Sequence, residues 1–516
     1  MKRFISLILC LVLLCTGSSI AFAAEAEGTD IPTVYVLGSS AELVIDEPGG
    51  GFRDIYPIAL PENFIADTVE ANKDIFIKAF FTQKWDDFCV ALQNIMIPLF
   101  EEIKLDENGN VRDNSHVRWY GNRDRIDGSR VNGKYPTERF VYEYDFRVDP
   151  YISADGLHTY IERVLQATGE SKVALVGRCM GGCITAAYME KYDGEYVADY
   201  IQYCSALYGA TQCSKAFCGE IYLESGGVER FVQDLNLFAD TVYNDLLQGF
   251  VTVLRKTYGL DIACWAVNNV YKDIYLKIVP PILIETFGTF PGFWSMVSDR
   301  DYEKAKETVF YGADKDKWQN FIRIIDNYHY NVQVKTPELF DRYRKNGIEI
   351  ANIVKYGCQT IPVTRNSDML SDQLCSVEDA SFGATVATIT KPLKKSYLKT
   401  ADPTYLSPDK QIDASTCLMP DRTWFIKDMA HKEFPFCVDR LFDEIINNDG
   451  LTVFDSAEYP QYLVFDKEAN TLSPMTEENM DTTARYRQSF FVAMKRFIKA
   501  LYTVIRDLIE SKRAEA

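Results

Sequence analysis

Val173-Ala174-Leu175-Val176-Gly177-Arg178-Cys179-Met180-Gly181-Gly182 is the stretch on which the fold of this 516-residue chain turns. Val173 to Val176 is a continuous apolar run, the mark of a parallel strand buried on both faces. Ile184 to Met189, just beyond, reads as helix. Between them lies Gly-x-Cys-x-Gly, a thiol version of the G-x-S-x-G nucleophile elbow. A nucleophile at the tip of such a strained turn needs small residues two before and two after it, because larger ones would collide with neighbouring backbone. The next amide, that of Met180, then points at a developing oxyanion. The helix N-terminus lowers the pKa of a thiol placed there. No Gly-Lys-Ser/Thr follows, so the turn is not a P-loop, and it does not spell G-x-G-x-x-G. Cys179 is the candidate nucleophile.

The flanking segments extend the pattern. Thr33 to Leu37 is a short β-rich run ending in Gly38-Ser39-Ser40, and Phe140 to Tyr144 is another. Leu157, Tyr160, Ile161, Val164 and Leu165 recur at helical spacing, and Gly169 stops that helix. Strand, helix, strand in this order predicts an α/β fold with a mostly parallel central sheet. From Gly226 to about Asn327 the chain turns helical and aromatic, broken at Pro280-Pro281 and Pro291-Gly292. That predicts a helical cap over residues 213–330, inserted between a first core part, 31–212, and a second, 331–450. Further strands are expected at Gln359 to Val363 and Thr423 to Ile426. Phe287, Phe290, Phe293 and Trp294 are candidate lining for a pocket under the cap.

Hydrophobic residues make up 47% of the chain and charged ones 25%, which excludes disorder and a coiled coil. The net charge of -19 argues against nucleic acid as a partner. Lys2 and Arg3, the apolar run Phe4 to Cys15 and the exit Ala21-Phe22-Ala23 spell a signal peptide over residues 1–23. The mature protein is therefore expected outside the cell or at its surface. Cleavage would leave eleven cysteines, an odd number, with Cys213 and Cys218 near enough for a local bridge. No cysteine or histidine cluster has zinc spacing, and no metal or organic cofactor is expected. At the other end, residues 483–513 read as an amphipathic helix with Phe490, Met494, Phe497, Leu501, Val504 and Leu508 on one face. Eight basic residues there face only Asp507 and Glu510. Such a helix docks either on the protein's own core or on a membrane surface.

A nucleophile needs a base, and in elbows of this kind the acid and then the histidine follow it in the chain. Of the four histidines, His116 and His158 precede Cys179. His431 follows the strand at Trp424 and can swing over a sheet edge, whereas His329 sits beside a helical segment and reads as structural. Asp368 and Asp372 both lie within reach as the acid.

These motifs resemble those of the α/β-hydrolase superfamily, in the neighbourhood of lecithin:cholesterol acyltransferase and lysosomal phospholipase A2-like lipases. Gly177 to Gly181 is similar to their G-H-S-[ML]-G, and Tyr144-Asp145-Phe146-Arg147 to Y-D-W-R. Ser371-Asp372-Gln373-Leu374 resembles the S-D-G-[VLI] acid loop, and Val36-Leu37-Gly38-Ser39 the V-P-G-x oxyanion loop. The resemblance spans roughly residues 31–435. It implies an α/β-hydrolase fold, an acyl-ester or lipid substrate, a Cys179-His431-Asp372 triad, and the Ser39 and Met180 amides as oxyanion hole. Cys179 stands where the family has Ser, Gln373 where it has Gly, and Leu37 where it has Pro. The sequence thus predicts an esterase- or lipase-like enzyme. Its rivals are a silent binding protein for a lipid or peptide on the same scaffold and a redox protein using Cys179 and Cys183.

Overall fold

The computed structural model describes residues 28–61, 63–118, 126–136, 139–235, 241–487 and 489–515. The expected signal peptide lies outside them. The strands are β1 (Thr33–Val36), β2 (Leu43–Asp46), β3 (Phe52–Tyr56), β4 (Ser115–Val117), β5 (Phe140–Tyr142), β6 (Val173–Arg178) and β7 (Val197–Tyr203). They continue with β8 (Glu349–Tyr356), β9 (Thr385–Val386), β10 (Ile412–Asp413), β11 (Thr423–Lys427), β12 (Tyr462–Asp466) and β13 (Thr471–Pro474). Eight form the central sheet in the order β13-β12-β11-β8-β7-β6-β1-β5. Every pairing in it is parallel except β12 with the edge strand β13. The fold is α/β with a mostly parallel sheet.

Successive side chains of the central strands enter two cores, as period-two geometry requires. Val34, Val36 and Leu175 face α3 (Pro150–Thr168) and α4 (Met180–Tyr192). Tyr35, Val176 and Trp424 face Leu441 and Phe442 of α12 (Cys437–Asn447). The helix read around Leu157 starts with Asp149 accepting from the Tyr151 amide and Pro150 in the first turn. It ends at Gly169, whose left-handed conformation (φ 75°) terminates it.

The strand expected at Gln359 to Val363 is absent. That segment leaves the sheet at Gly357 (φ 92°) and runs as a loop through Pro362, which has no amide to give to a ladder. The strand itself is β8, slightly earlier. Buried Asn352 and Lys355 interrupt its apolar run, as Asp199 and Gln202 interrupt that of β7.

Between β7 and β8 the chain is helical: α5 (Thr211–Phe217), α6 (Ser225–Asp234), α7 (Thr241–Lys256), α8 (Gly259–Leu283), α9 (Asp299–Val309), α10 (Lys315–Tyr328) and α11 (Thr336–Lys345). The insertion has a core of its own around Phe217, Trp294, Phe310 and Phe321. The break expected at Pro280-Pro281 falls inside the last turn of α8. Pro281 cannot donate to the Lys277 carbonyl one turn back, and Gln93 Nε2 takes that acceptor at 2.7 Å. Gln93 belongs to a helical hairpin, α1 (Phe64–Thr82) and α2 (Asp86–Met96), inserted between β3 and β4. The C-terminal helix α13 (Phe490–Glu515) packs on α7.

Candidate active site

Cys179 occupies the turn from β6 into α4 with φ 54° and ψ −125°, a conformation that costs a non-glycine residue energy and must be held by its surroundings. The holding is visible. Cys179 donates its amide to Tyr203 O (3.2 Å), and its carbonyl accepts from Gly182 and Ala206. The glycines are required by contact: a Cβ on Gly181 would lie 2.0 Å from Val36 O, and one on Gly177 would lie 2.3 Å from Thr185 Oγ1.

His431 sits in the loop after β11, and Asp372 in the loop after β8. The two exchange a 2.6 Å contact between Asp372 Oδ2 and His431 Nδ1, and the His431 amide donates to Asp372 O at 2.7 Å. The amides of Leu374 (3.1 Å) and Cys375 (2.8 Å) donate to Asp372 Oδ1. His431 Nε2 is buried with no hydrogen-bonding partner. Burial raises the Cys179 thiol, but the facing His431, with Arg178 and the Met180 amide, brings it below its ordinary value. Burial lowers His431, yet Asp372, Cys179 and Cys204 push it well above its own. Asp372 is likewise held down against burial, by the His431 charge and its hydrogen bond. The arrangement thus favours a thiolate facing an imidazolium.

Two buried cations fix the histidine loop, a role to which no residue pattern points directly. Arg178 Nη2 donates to His431 O (3.0 Å), and Lys355 Nζ donates to the same carbonyl (2.9 Å) and to Glu433 O (2.5 Å). The one available signal was a lysine inside an apolar strand, since a buried ammonium must find acceptors.

A mostly apolar cavity of about 300 Å³ opens at Cys179 and His431. Ser39 lies on its wall with Gly38, where a Cβ would sit 3.3 Å from Cys179 Sγ; Tyr144 fixes this loop by donating to Leu37 O at 2.9 Å. The Asp145 and Arg147 of the same motif form a part-buried ion pair (2.6 Å), and the buried Arg147 also donates to Ile103 O and Ser115 Oγ. Phe287, Phe290 and Phe293 line the cavity as expected. Trp294 does not: it stacks on Phe310 within the insertion's own core. The sequence reading also missed the far wall, where Leu92 and Met96 of α2 face Ile278 and Ile282 of α8.

Asp368 is not brought to His431; it lies on a separate polar groove with Arg230 and Arg365. His329 is buried and bonded at both nitrogens, to Gln333 and Asp299. All eleven described cysteines are free thiols. The bridge considered for Cys213 and Cys218 is not formed, since each thiol donates to a carbonyl instead, of Phe293 and Asp301 respectively. Cys183 does not pair with Cys179 either. Its thiol donates to Ser295 O, and burial pushes its pKa up to about 12. Cys204, Asp372 and His431 bring one donor atom each within 4.8 Å of one another. A cation there would compete with the Asp372-His431 hydrogen bond.

An α/β protein in which a half-buried Cys179 stands with the buried His431 and Asp372 at an apolar cavity is what fold and site define together. No family model matches the chain, and no curated protein matches it either.

Proposed function

We propose that the chain is an α/β-hydrolase acting on esters of apolar acyl groups, with Cys179, His431 and Asp372 as its triad. The observation that carries this reading is the buried, unpartnered His431 Nε2 facing a thiol on a strained turn, at the mouth of an apolar cavity. The Cys179 thiolate adds to the ester carbonyl, and the Ser39 and Met180 amides receive the negative charge on its oxygen. His431 gives its proton to the departing alkoxide, leaving a thioester on Cys179. It then takes a proton from water, or from an acceptor alcohol, whose oxygen displaces the thiolate. Asp372 orients the ring and stabilises its cation. The cavity wall from α2 and α8 accepts the acyl chain, and its roughly 300 Å³ suits one chain of moderate length.

The test is hydrolysis of a p-nitrophenyl ester series, from acetyl to palmitoyl, by wild type, Cys179→Ala and Cys179→Ser. The expected outcome is turnover by wild type with an optimum beyond the shortest chains, and a loss of about 10³-fold or more in the alanine variant. Three inert proteins that nonetheless bind a fatty-acid probe in the cavity would replace the enzyme with a binding protein.

A further inference from the structure

Helix α13 has two apolar faces. One is used: Ala493 and Ala500 are buried against α7, and the Phe497 and Phe250 rings lie 5.9 Å apart. Arg496 pairs with Asp245 across the same seam, and a Cβ on Gly249 would come within 2.9 Å of that of Phe497. The other face is turned to solvent. Phe491 is 82% exposed, Tyr502 67% and Ile498 56%, and Ile505 and Ile509 are exposed as well. Their spacing of seven, four, three and four residues stacks them in one stripe along the helix. The sequence pattern set docking on the core and docking on a surface as alternatives; a helix with two apolar faces does both. Leu501, assigned by that pattern to the inward face, is 37% exposed.

We propose that this outer face of α13 docks on an anionic lipid surface. Charge decides the occupant. Lys495, Lys499 and Arg506 run along one edge of the stripe, all exposed. Lys495 and Lys499 make no ion pair among the described residues, and the whole chain carries -19. A basic edge beside exposed aromatic and aliphatic side chains matches a bilayer interface, where the charges meet acidic headgroups and the stripe enters the acyl boundary. A second copy docked antiparallel through the same face would set the two lysine rows against each other. A nucleic acid would leave the stripe without use.

The start of the helix is tied to the candidate active site. Arg485, in the one-turn segment Thr483–Tyr486, pairs with Asp234 (2.8 Å) and with Asp428 (3.2 Å), and donates to Gly357 O. Asp428 stands three residues before His431, so Arg485 ties the segment that leads into α13 to the loop that carries the histidine.

The test is flotation of the full-length protein with phosphatidylcholine vesicles, with and without a quarter of phosphatidylglycerol. Wild type is expected to float with the anionic vesicles only, and to be released as salt rises. The triple variant Phe491→Ser/Ile498→Ser/Tyr502→Ser and the charge reversal Lys495→Glu/Lys499→Glu should each bind about tenfold more weakly or worse, with Tm unchanged. Absence of wild-type binding, or binding unaffected by both variants, overturns the proposal. So does a wild-type dimer that the triple variant dissociates, since the face would then serve self-association. Vesicle binding needs no turnover, so a failure of the catalytic reading leaves this test standing.

Discussion

His329 and His431 are both buried, and each is bonded to a carboxylate, yet their second nitrogens meet different surroundings. The His329 ring lies flat on Tyr302, with centroids 3.6 Å apart, and Gln333 and Asp299 take up its two nitrogens. Nothing is left to move a proton. Burial accordingly holds its pKa below the ordinary 6.5. His431 has one nitrogen committed to Asp372 and the other buried without a partner before Cys179, and its pKa lies above the same value. A carboxylate neighbour is therefore not what distinguishes the two. What sets His431 apart is an open nitrogen at the Cys179 cavity: His158 Nδ1 is also buried without a partner, but its ring stacks on Tyr192 and does not line that cavity.

The largest difference between the two should be in turnover. His431→Gln is expected to lower kcat/KM about 10⁴-fold, and His329→Gln less than about threefold, in the same ester assay. Equal losses would erase the contrast. Asp372→Asn comes next. An amide in place of the carboxylate favours the wrong tautomer of His431, and kcat should fall about 10²- to 10⁴-fold with little change in KM. Lys355→Met is smaller still in activity, about tenfold. It should cost about 2–4 kcal/mol in chemical denaturation, because the carbonyls of His431 and Glu433 lose a buried charged donor.

The smallest effect is on stability against pH. A histidine whose folded pKa is depressed contributes stability that is complete above its unfolded value and is lost as pH falls through the folded one. Wild type should thus lose stability on the acid side of about 6.5, and less so in His329→Gln. His431, with its folded pKa raised, contributes in the opposite sense. Its share is complete below the unfolded value and disappears as pH rises through the folded one. Denaturation midpoints across that range check both signs.

The elbow was legible in the sequence because everything it needs is local: an apolar strand, two glycines at fixed offsets, and a helix. Gly181 reads as a contact with Val36 only once folded, but its position alone identified the turn. Asp372 and His431 were reached by chain order and short motifs, and residue spacing left Asp368 open, since two loop aspartates four residues apart differ only in where the loop folds. The middle of the sheet was hidden by its own polar residues. Asn352 and Lys355 interrupt the apolar run of β8, and only their acceptors, Ala380 O and the His431 loop, explain their burial. The cavity wall from α2 was beyond reach for another reason. Leu92 and Met96 meet Ile278 and Ile282 across some 180 residues, and helical periodicity says which face is buried but not against what.

The most direct test of the Cys179-His431 pairing is the pH dependence of iodoacetamide alkylation, followed by intact mass and peptide mapping. Wild type should be modified first at Cys179, with a midpoint below the 9.0 of an ordinary thiol. That midpoint should move upward in His431→Gln and stay in place in His329→Gln. Identical midpoints in wild type and His431→Gln, or modification that begins at another cysteine, would contradict the account.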